Sequence, residues 1–376
     1  MKKNYTNVAI LMLFLVLAVI CNCFAVNTKQ IDDVRDKAVL SSEDFEAIDK
    51  FMAEAIDTLV KTTDFTSIAN DRAVILARNK SGEGSAQAQY ADKFYESAYK
   101  HISSALKQTK DMAPEDQRFK VVTNLLILID ELEDVRLAKL AVGYLKDKNE
   151  VVRYWAVRVV GNPRVVEQLN SGKADDLKLA SGIAVQLKQL VEGTSPRLIT
   201  LVARFAADIK VPEAEDLLLQ IADMRIKKYA DWAVDDERLD AAILTMLYTK
   251  ISSAEVSNPA IARRFAQLYS YAIQRYVNGR DILNSGQKEQ LASVLVETEK
   301  SCIGGLLAVP QMTIKKAVER DDYMGLLEEH SRLLGDKTRA GQLGIKLNFD
   351  YGKAADGSKL IAPLSLPAPP EIKEDN

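Results

Sequence analysis

Regularly placed proline is the sequence feature that most constrains the fold. Each of five prolines stands directly before a run of apolar residues with helical spacing: Pro114, Pro163, Pro196, Pro212 and Pro259. Good N-cap residues precede three of them: Asn162, Ser195 and Asn258. Proline suits the first turn of a helix because the N–H that it lacks has no helical partner there. The pattern predicts helices of roughly 12 to 18 residues joined by short connections, and an all-α fold without strands.

Helical spacing also fills the chain before residue 114. One apolar face follows a Ser41–Asp44 capping pair and consists of Phe45, Ile48, Met52, Ala55, Ile56 and Leu59. A second long helix is predicted from Ala91, Phe94, Ala98, Ile102 and Ala105. Between them, the stretch 81–85 contains Gly82 and Gly84 and predicts a loop. No Lys-Ser/Thr pair follows these glycines, so they do not form a phosphate-binding loop.

A two-helix repeat is visible around Asp147. Asp147 lies in a predicted turn, and Arg153 follows it six residues later. Val152 and Arg153 begin a predicted helix that continues through Ala156. This unit, at about 120–161, resembles the HEAT repeat. Similar helix openings recur around Arg118, Arg197 and Arg238, near the ~40–47 residue spacing of HEAT and armadillo units.

The resemblance implies an armadillo-type α-solenoid, in which stacked helix pairs form extended surfaces that usually serve as binding surfaces or scaffolds. It also implies a structural role for Asp147, Val152, Arg153 and Ala156. In such repeats the Asp–Arg pair links turns and neighbouring units.

The first residues predict export. Lys2 and Lys3 precede an uncharged apolar run from Val8 to Ile20, and Ala25 closes a site of small residues suited to signal peptidase. The run is shorter than the ~20 residues that a membrane-spanning helix needs. We therefore expect cleavage before Val26, no membrane span in the mature chain, and a periplasmic or secreted protein. Retention of the segment as an anchor is one alternative. Acylation of Cys21 or Cys23, as in a bacterial lipoprotein, is another, but neither Ile20 nor Asn22 is the small residue that normally precedes the modified cysteine.

Composition narrows the function. Of three cysteines, Cys21 and Cys23 lie in the presequence, so after cleavage Cys302 is left alone, without a disulfide partner. We expect it to be a buried apolar residue. With 50 basic and 53 acidic residues, the formal net charge of −3 does not favour nucleic acid as a partner. Two histidines and one mature cysteine predict no metal, haem or other cofactor site.

The candidate partner-binding surface is the stretch 258–280. It contains four arginines and three tyrosines but no acid. On a helix, Arg264, Tyr271 and Arg275 share one stripe, and Arg263 and Arg280 add to its charge, while Ile261, Phe265 and Leu268 face the core. Arg and Tyr are favoured interface residues, and Arg binds carboxylates, so we expect a protein partner, with acidic groups.

Catalysis is the main alternative function. Acidic clusters that can supply a carboxylate site in a periplasmic enzyme occur at Asp235–Asp236–Glu237, Asp321–Asp322 and Glu328–Glu329. Each cluster also stands beside a predicted helix start, where acids favour the helix dipole, or on a polar face exposed to water. A third possibility is an accessory subunit of an envelope transport complex. We favour a non-catalytic interaction or scaffold protein.

The predicted organisation has four segments. These are a signal peptide at 1–25, an N-terminal helical region at 26–113, a HEAT-like repeat domain at 114–346, and a flexible Pro-rich tail at 347–376. The tail carries four prolines among alanine, serine and charged residues, a composition typical of loose extended segments.

Overall fold

The computed structural model describes residues 28–37, 39–62, 64–79, 85–253, 258–354 and 356–370. Within these ranges the regular secondary structure is helical, and the only β-type pairings are isolated bridges between Gly335 and Ala340 and between Lys353 and Lys359. The prediction of an all-α fold is confirmed. The proposed signal peptide and the glycines at 82 and 84 lie outside the described residues. The described helices include none that is long and apolar enough to cross a membrane.

The chain divides into two compact units between Leu140 and Ala141. The first unit contains α1 (Lys29–Arg35), α2 (Ser42–Lys61), α3 (Phe65–Leu76), α4 (Ser85–Gln108), a 3₁₀ turn (Thr109–Asp111) and α5 (Glu115–Leu132), and it ends within α6 (Val135–Ala141). Our predicted domain boundary at 113/114 falls inside this unit, because α5 packs against α3 and α4.

The core of the first unit lies between α2 and α4. The capping box predicted at α2 is present: the Ser41 side chain accepts from the Asp44 N–H, and Asp44 accepts from the Ser41 N–H. The predicted apolar faces meet here, with Ile48, Met52 and Phe94 fully buried. Sequence spacing therefore predicted both helices and the faces that join them.

The second unit continues the helical order. It contains a 3₁₀ turn (Val142–Tyr144), α7 (Glu150–Val160), α8 (Pro163–Leu169), α9 (Ala174–Lys188), α10 (Pro196–Asp208), α11 (Pro212–Ala230), α12 (Arg238–Ser253), α13 (Pro259–Asn278), α14 (Ser285–Thr298), a π-helical turn (Glu299–Ile303), α15 (Gly304–Leu307), α16 (Thr313–Glu319), α17 (Tyr323–Leu334) and α18 (Gln342–Leu347). Four of the predicted prolines occupy the first helical turn, namely Pro163, Pro196, Pro212 and Pro259. The side chains of Asn162 and Asn258 accept cap hydrogen bonds, whereas Ser195 stands at the N-cap without one.

Successive helices alternate between two layers of the second unit. A first layer contains α9, α11, α13 and α17, and a second layer contains α7, α10, α12, α14 and α16. Helix α11 packs against α9 and α13 in its own layer, and α12 packs likewise against α10 and α14. Each helix pair therefore buries its apolar side against the preceding and following pairs, which is the packing of a solenoid. The packing of the second unit therefore agrees with the α-solenoid fold that the HEAT resemblance implies.

The unit that carried the resemblance has a structured turn. Arg153 Nη1 donates to the carbonyl oxygens of Asp147 (2.8 Å) and Lys148 (3.1 Å), and the Asn149 N–H donates to Asp147 Oδ1. Val152 and Ala156 are completely buried. These contacts join the turn to the start of α7 and give Arg153 a local bonding role.

The described C-terminal residues, up to Pro370, are extended but not loose, which corrects the prediction of a flexible tail for that part of the segment. Tyr351 is buried and donates its hydroxyl to the Leu334 carbonyl at 2.9 Å. Farther along, Leu366 is only 7% exposed. The prolines do disfavour helix, as predicted, but composition could not reveal that helix side chains bind the tail's main chain.

Candidate partner-binding site

Helix α13, the predicted binding helix, lies in the interior of the second unit. It packs against α11, α12, α14, α17 and α18, so both of its long faces are covered. Tyr271 is 4% exposed and Arg275 is 2% exposed. The expectation that these two residues form an accessible stripe is therefore wrong. Helical spacing predicted the apolar face of Ile261, Phe265 and Leu268 correctly, but it could not show that other elements cover the opposite face.

Acids from elsewhere in the chain neutralise much of the predicted basic surface. Arg264 makes a two-pronged ion pair with Asp223 on α11, with Nε–Oδ1 and Nη2–Oδ2 distances of 2.8 and 2.9 Å. Arg263 donates to the carbonyl oxygen and carboxylate of Asp350. Arg280 is exposed and pairs with its neighbour Asp281 at 3.4 Å. The stretch 258–280 contains no acidic residue, but acids from outside it pair with these three arginines.

Arg275 has an internal role. Its Nη2 lies 3.2 Å from Glu237 Oε1, its Nη1 donates to the Trp232 carbonyl, and its guanidinium lies 5.3 Å from the centre of the Trp232 ring. Burial raises the pKa of Glu237, and Arg275 opposes part of that shift. The Arg275 guanidinium therefore packs against the Trp232 ring in a cation–π interaction.

Trp232 connects this interior cluster to the C-terminal segment. It follows the end of α11 with a φ of 55°, a left-handed conformation that is rare for a bulky residue. Its indole Nε1 donates to the carbonyl oxygen of Pro367 at 3.0 Å. Trp232 thus binds main chain that is distant in sequence.

Two glutamines of α13 bind the same segment. Gln267 Oε1 accepts from the Leu364 N–H at 2.8 Å, and its Nε2 donates to the Leu364 carbonyl at 3.3 Å. Gln274 Oε1 accepts from the Leu366 N–H at 2.6 Å, and its Nε2 donates to the Leu364 carbonyl at 3.2 Å. A side-chain amide both donates and accepts, so it can pair with a peptide group as another peptide group would.

A serine and a histidine lie beneath the glutamines. Gln274 Nε2 donates to Ser270 Oγ at 2.8 Å, and Ser270 Oγ lies 2.8 Å from His330 Nε2 on α17. Burial lowers the pKa of His330 to about 4, so the ring is neutral near pH 7 and its Nε2 can accept from the serine hydroxyl. Ser270 has no exposed surface, which denies a substrate access to the hydroxyl in this structure.

Asp235 and Asp322, both considered for catalysis, have partners for their carboxylates. Asp322 caps α17 by accepting from the Gly325 N–H at 2.8 Å. At Asp236 the main-chain carbonyl, and not the carboxylate, accepts from Arg225 Nη2. Partial burial acts to raise the pKa of Asp235, but hydrogen bonding to Lys228 and the charge of Arg225 lower it overall. These contacts favour ionised, paired carboxylates over a general acid at 235.

A buried ion pair fixes the base of the Trp232 loop. Arg225 on α11 and Asp240 on α12 form two hydrogen bonds of 2.7 and 3.0 Å, with side chains 1% and 0% exposed. The Tyr229 hydroxyl donates to Asp240 Oδ2 at 2.7 Å. Since Arg225 also holds the loop carbonyl of Asp236, the cluster sets the path of the chain between α11 and α12.

The sequence pattern did not identify Gln267, Ser270, Gln274 and His330 as site residues. Three of them stand at spacings of three and four on α13, which places uncharged polar groups on one face of that helix. That spacing was the available signal. By itself it does not distinguish a solvated face from a buried face that binds a peptide.

Comparisons with known proteins add little. No family model and no curated protein matches the sequence. Among solved structures, it is similar to Kap121p bound to Nup53p, with a TM-score of 0.39 and 13% identity over 81% of this chain and 33% of that chain. Kap121p bound to Pho4p gives a TM-score of 0.30 and 14% identity over 84% of this chain and 35% of that chain. An engineered protein gives a TM-score of 0.27 and 13% identity over 82% and 97% of the two chains.

The chain thus spans about a third of the length of Kap121p. At these TM-scores the matches support no conclusion about function. The packing of the helices alone defines the fold.

Proposed function

We propose that the protein is an exported, non-catalytic scaffold that binds a protein partner on the first helical layer. One observation carries this proposal. Side chains of α13 and Trp232 already hold an extended polypeptide segment by its main chain, through Leu364, Leu366 and Pro367. Main-chain hydrogen bonds of this kind are a general means of binding peptides. Stacked helix pairs supply the extended surface on which such sites form.

Export is the second part of the proposal. It rests on the presequence, where basic residues, a short apolar run and Ala25 follow the order of a signal peptide. Mass spectrometry of the mature N-terminus tests it. We expect Val26 as the first residue, whereas an intact Met1 or a lipid on Cys21 or Cys23 contradicts export by this route.

The non-catalytic part rests on the partners of the candidate groups. Ser270 is buried, and Asp235 and Asp322 are engaged in an ion pair and a helix cap. The expected acidic character of the partner is no longer part of the proposal, because Arg263 and Arg264 pair with Asp350 and Asp223.

Site-specific photo-crosslinking tests partner binding in the native compartment. A photoreactive residue at Met324, which is 68% exposed at the start of α17, probes the first layer. The matched control is Val151, which is 45% exposed on α7 in the second layer. We expect a discrete protein adduct from position 324 and none from 151. Equal adducts from both positions, or no adduct from the first layer, contradict the proposed scaffold role.

A further inference from the structure

The segment from Pro363 to Pro370 is bound through its backbone. Its hydrogen bonds to α13 and Trp232 involve the main-chain groups of Leu364, Leu366 and Pro367. A backbone group is common to every peptide. Recognition of this kind therefore selects an extended conformation and tolerates different side chains.

Burial along the segment has a period of three. Pro363 and Pro369 are half-buried and Leu366 is buried, whereas the residues between them are exposed. Three residues per turn is the period of a polyproline II helix. That helix has no internal hydrogen bonds, so its carbonyl and N–H groups are available to side chains such as Gln267, Gln274 and Trp232. The site thus fits a proline-rich segment with an apolar or proline residue at every third position.

The site is held in place by bonds that do not involve the segment. Gln274 is fixed by Ser270, which is hydrogen-bonded to His330. Trp232 is fixed by Arg275, which is paired with Glu237. Because these supports come from α13, α17 and the connection that precedes α12, the site keeps its form if the segment leaves, and pre-formed sites bind at lower cost in entropy.

We propose that this groove, defined by Gln267, Gln274 and Trp232, binds a proline-rich, uncharged segment of a partner protein, and that residues 363–369 occupy it in the free protein. The inference rests on the proposed scaffold function and names the chemistry of its partner. The C-terminal segment then acts as an internal competitor. A partner segment gains access when the internal one is released.

A second copy of the chain is the other possible donor. The chain up to Leu360 is anchored, since Leu360 pairs with Tyr351 and Gly352 in backbone hydrogen bonds and Tyr351 is buried. Only the few residues between Leu360 and Leu364 remain to cross to another subunit, and each spans at most ~3.6 Å. Hence we assign the groove to a partner rather than to exchange of C-terminal segments.

Competition with a tethered segment sets the expected effect. A short flexible tether gives an effective concentration of order mM. A free peptide that binds the empty groove with a Kd of roughly 10–100 μM therefore binds the occupied groove roughly ten- to a hundredfold more weakly. Releasing the internal segment should therefore increase the affinity of the free peptide by the same factor.

The test uses the full mature chain and a fluorescently labelled synthetic peptide of residues 361–370, with binding followed by fluorescence anisotropy. The change Leu366→Asp places a charge at the buried position of the internal segment and should release it. We expect this variant to bind the peptide at least tenfold more tightly than the wild type. Adding Gln267→Ala and Gln274→Ala should reverse the gain. A peptide of the same composition with the three-residue period scrambled is the control.

Three results overturn the inference. One is no gain in affinity from Leu366→Asp. Another is a gain that survives the two glutamine changes or extends equally to the scrambled peptide. The third is a concentration-dependent dimer of the released variant without peptide binding, which assigns the groove to a second copy. Photo-crosslinking from Met324 does not use the peptide, so a failure here leaves the scaffold function standing.

A second measurement covers the case in which Leu366→Asp does not fold. The chain has two tryptophans, so Trp155→Phe leaves Trp232 as the only fluorescent indole. Peptide that carries an energy-transfer acceptor for tryptophan should then displace the internal segment at millimolar concentration and produce a saturable quenching of Trp232 emission. The two glutamine changes should abolish that change. No saturable change overturns the inference.

Discussion

The buried ion pair between Arg225 and Asp240 gives a prediction whose size follows from the structure. Both side chains are almost completely excluded from solvent and share two hydrogen bonds. Replacing Asp240 by Leu leaves a buried guanidinium without its main counter-charge. Breaking such a pair costs about 3–5 kcal/mol in the free energy of unfolding. The lower part of that range is expected, because Asp235 and the Asp236 carbonyl still contact Arg225.

A double-mutant cycle tests whether Arg225 and Asp240 are directly coupled. Arg225→Met alone should cost a similar amount, since Asp240 then keeps only the Tyr229 hydroxyl among its hydrogen-bond donors in the cluster. The double variant should recover most of the loss, because two apolar residues of similar volume can replace a buried ion pair at little cost. Urea unfolding followed by circular dichroism measures all four proteins. Losses that simply add in the double variant would refute the direct coupling described here.

Three further predictions concern stability. His330 is neutral in the fold with a pKa of about 4, against ~6.5 in the unfolded chain, so its contribution is complete above pH ~6.5 and is lost as pH falls towards 4. Between pH 7 and 5 the wild type should lose about 2 kcal/mol more than His330→Gln in urea unfolding, and equal losses contradict this. Arg153→Ala should lower the free energy of unfolding by about 1–3 kcal/mol through the loss of its two hydrogen bonds to turn carbonyls, and an unchanged denaturation midpoint argues against that role. Arg264→Ala, which breaks a partly exposed pair, should cost at most about 1 kcal/mol, whereas Arg275→Ala should cost about 3–5 kcal/mol, and the reverse order in thermal or urea melts contradicts their placement.

Local rules in the sequence predicted most of the fold. Proline at the first helical turn, the asparagine caps and the Ser41–Asp44 capping box each act within a few residues, so they can be read without knowledge of the rest of the chain. Buried, unpaired Cys302 was predicted for a similar reason. It is a small apolar residue on a helical pattern.

The binding site was not predictable in the same way because its partners are distant in sequence. Arg264 meets Asp223, and Gln267 meets Leu364. A local count of charge on 258–280 found arginines but could not find their counter-ions. The C-terminal segment is bound through its main-chain groups, so its residue types do not reveal the contact. Composition therefore predicted an extended conformation and missed the binding.

Amide hydrogen exchange of the C-terminal segment tests the central claim most directly, namely that side chains of α13 hold a polypeptide by its backbone. The N–H groups of Leu364 and Leu366 donate to Gln267 and Gln274. Each bond, at about 1 kcal/mol or somewhat more, should slow exchange by roughly tenfold relative to an unstructured peptide. We expect Gln267→Ala with Gln274→Ala to remove this protection while core amides of α12 stay protected. Exchange of both leucine amides at the unstructured rate in the wild type would contradict the claim.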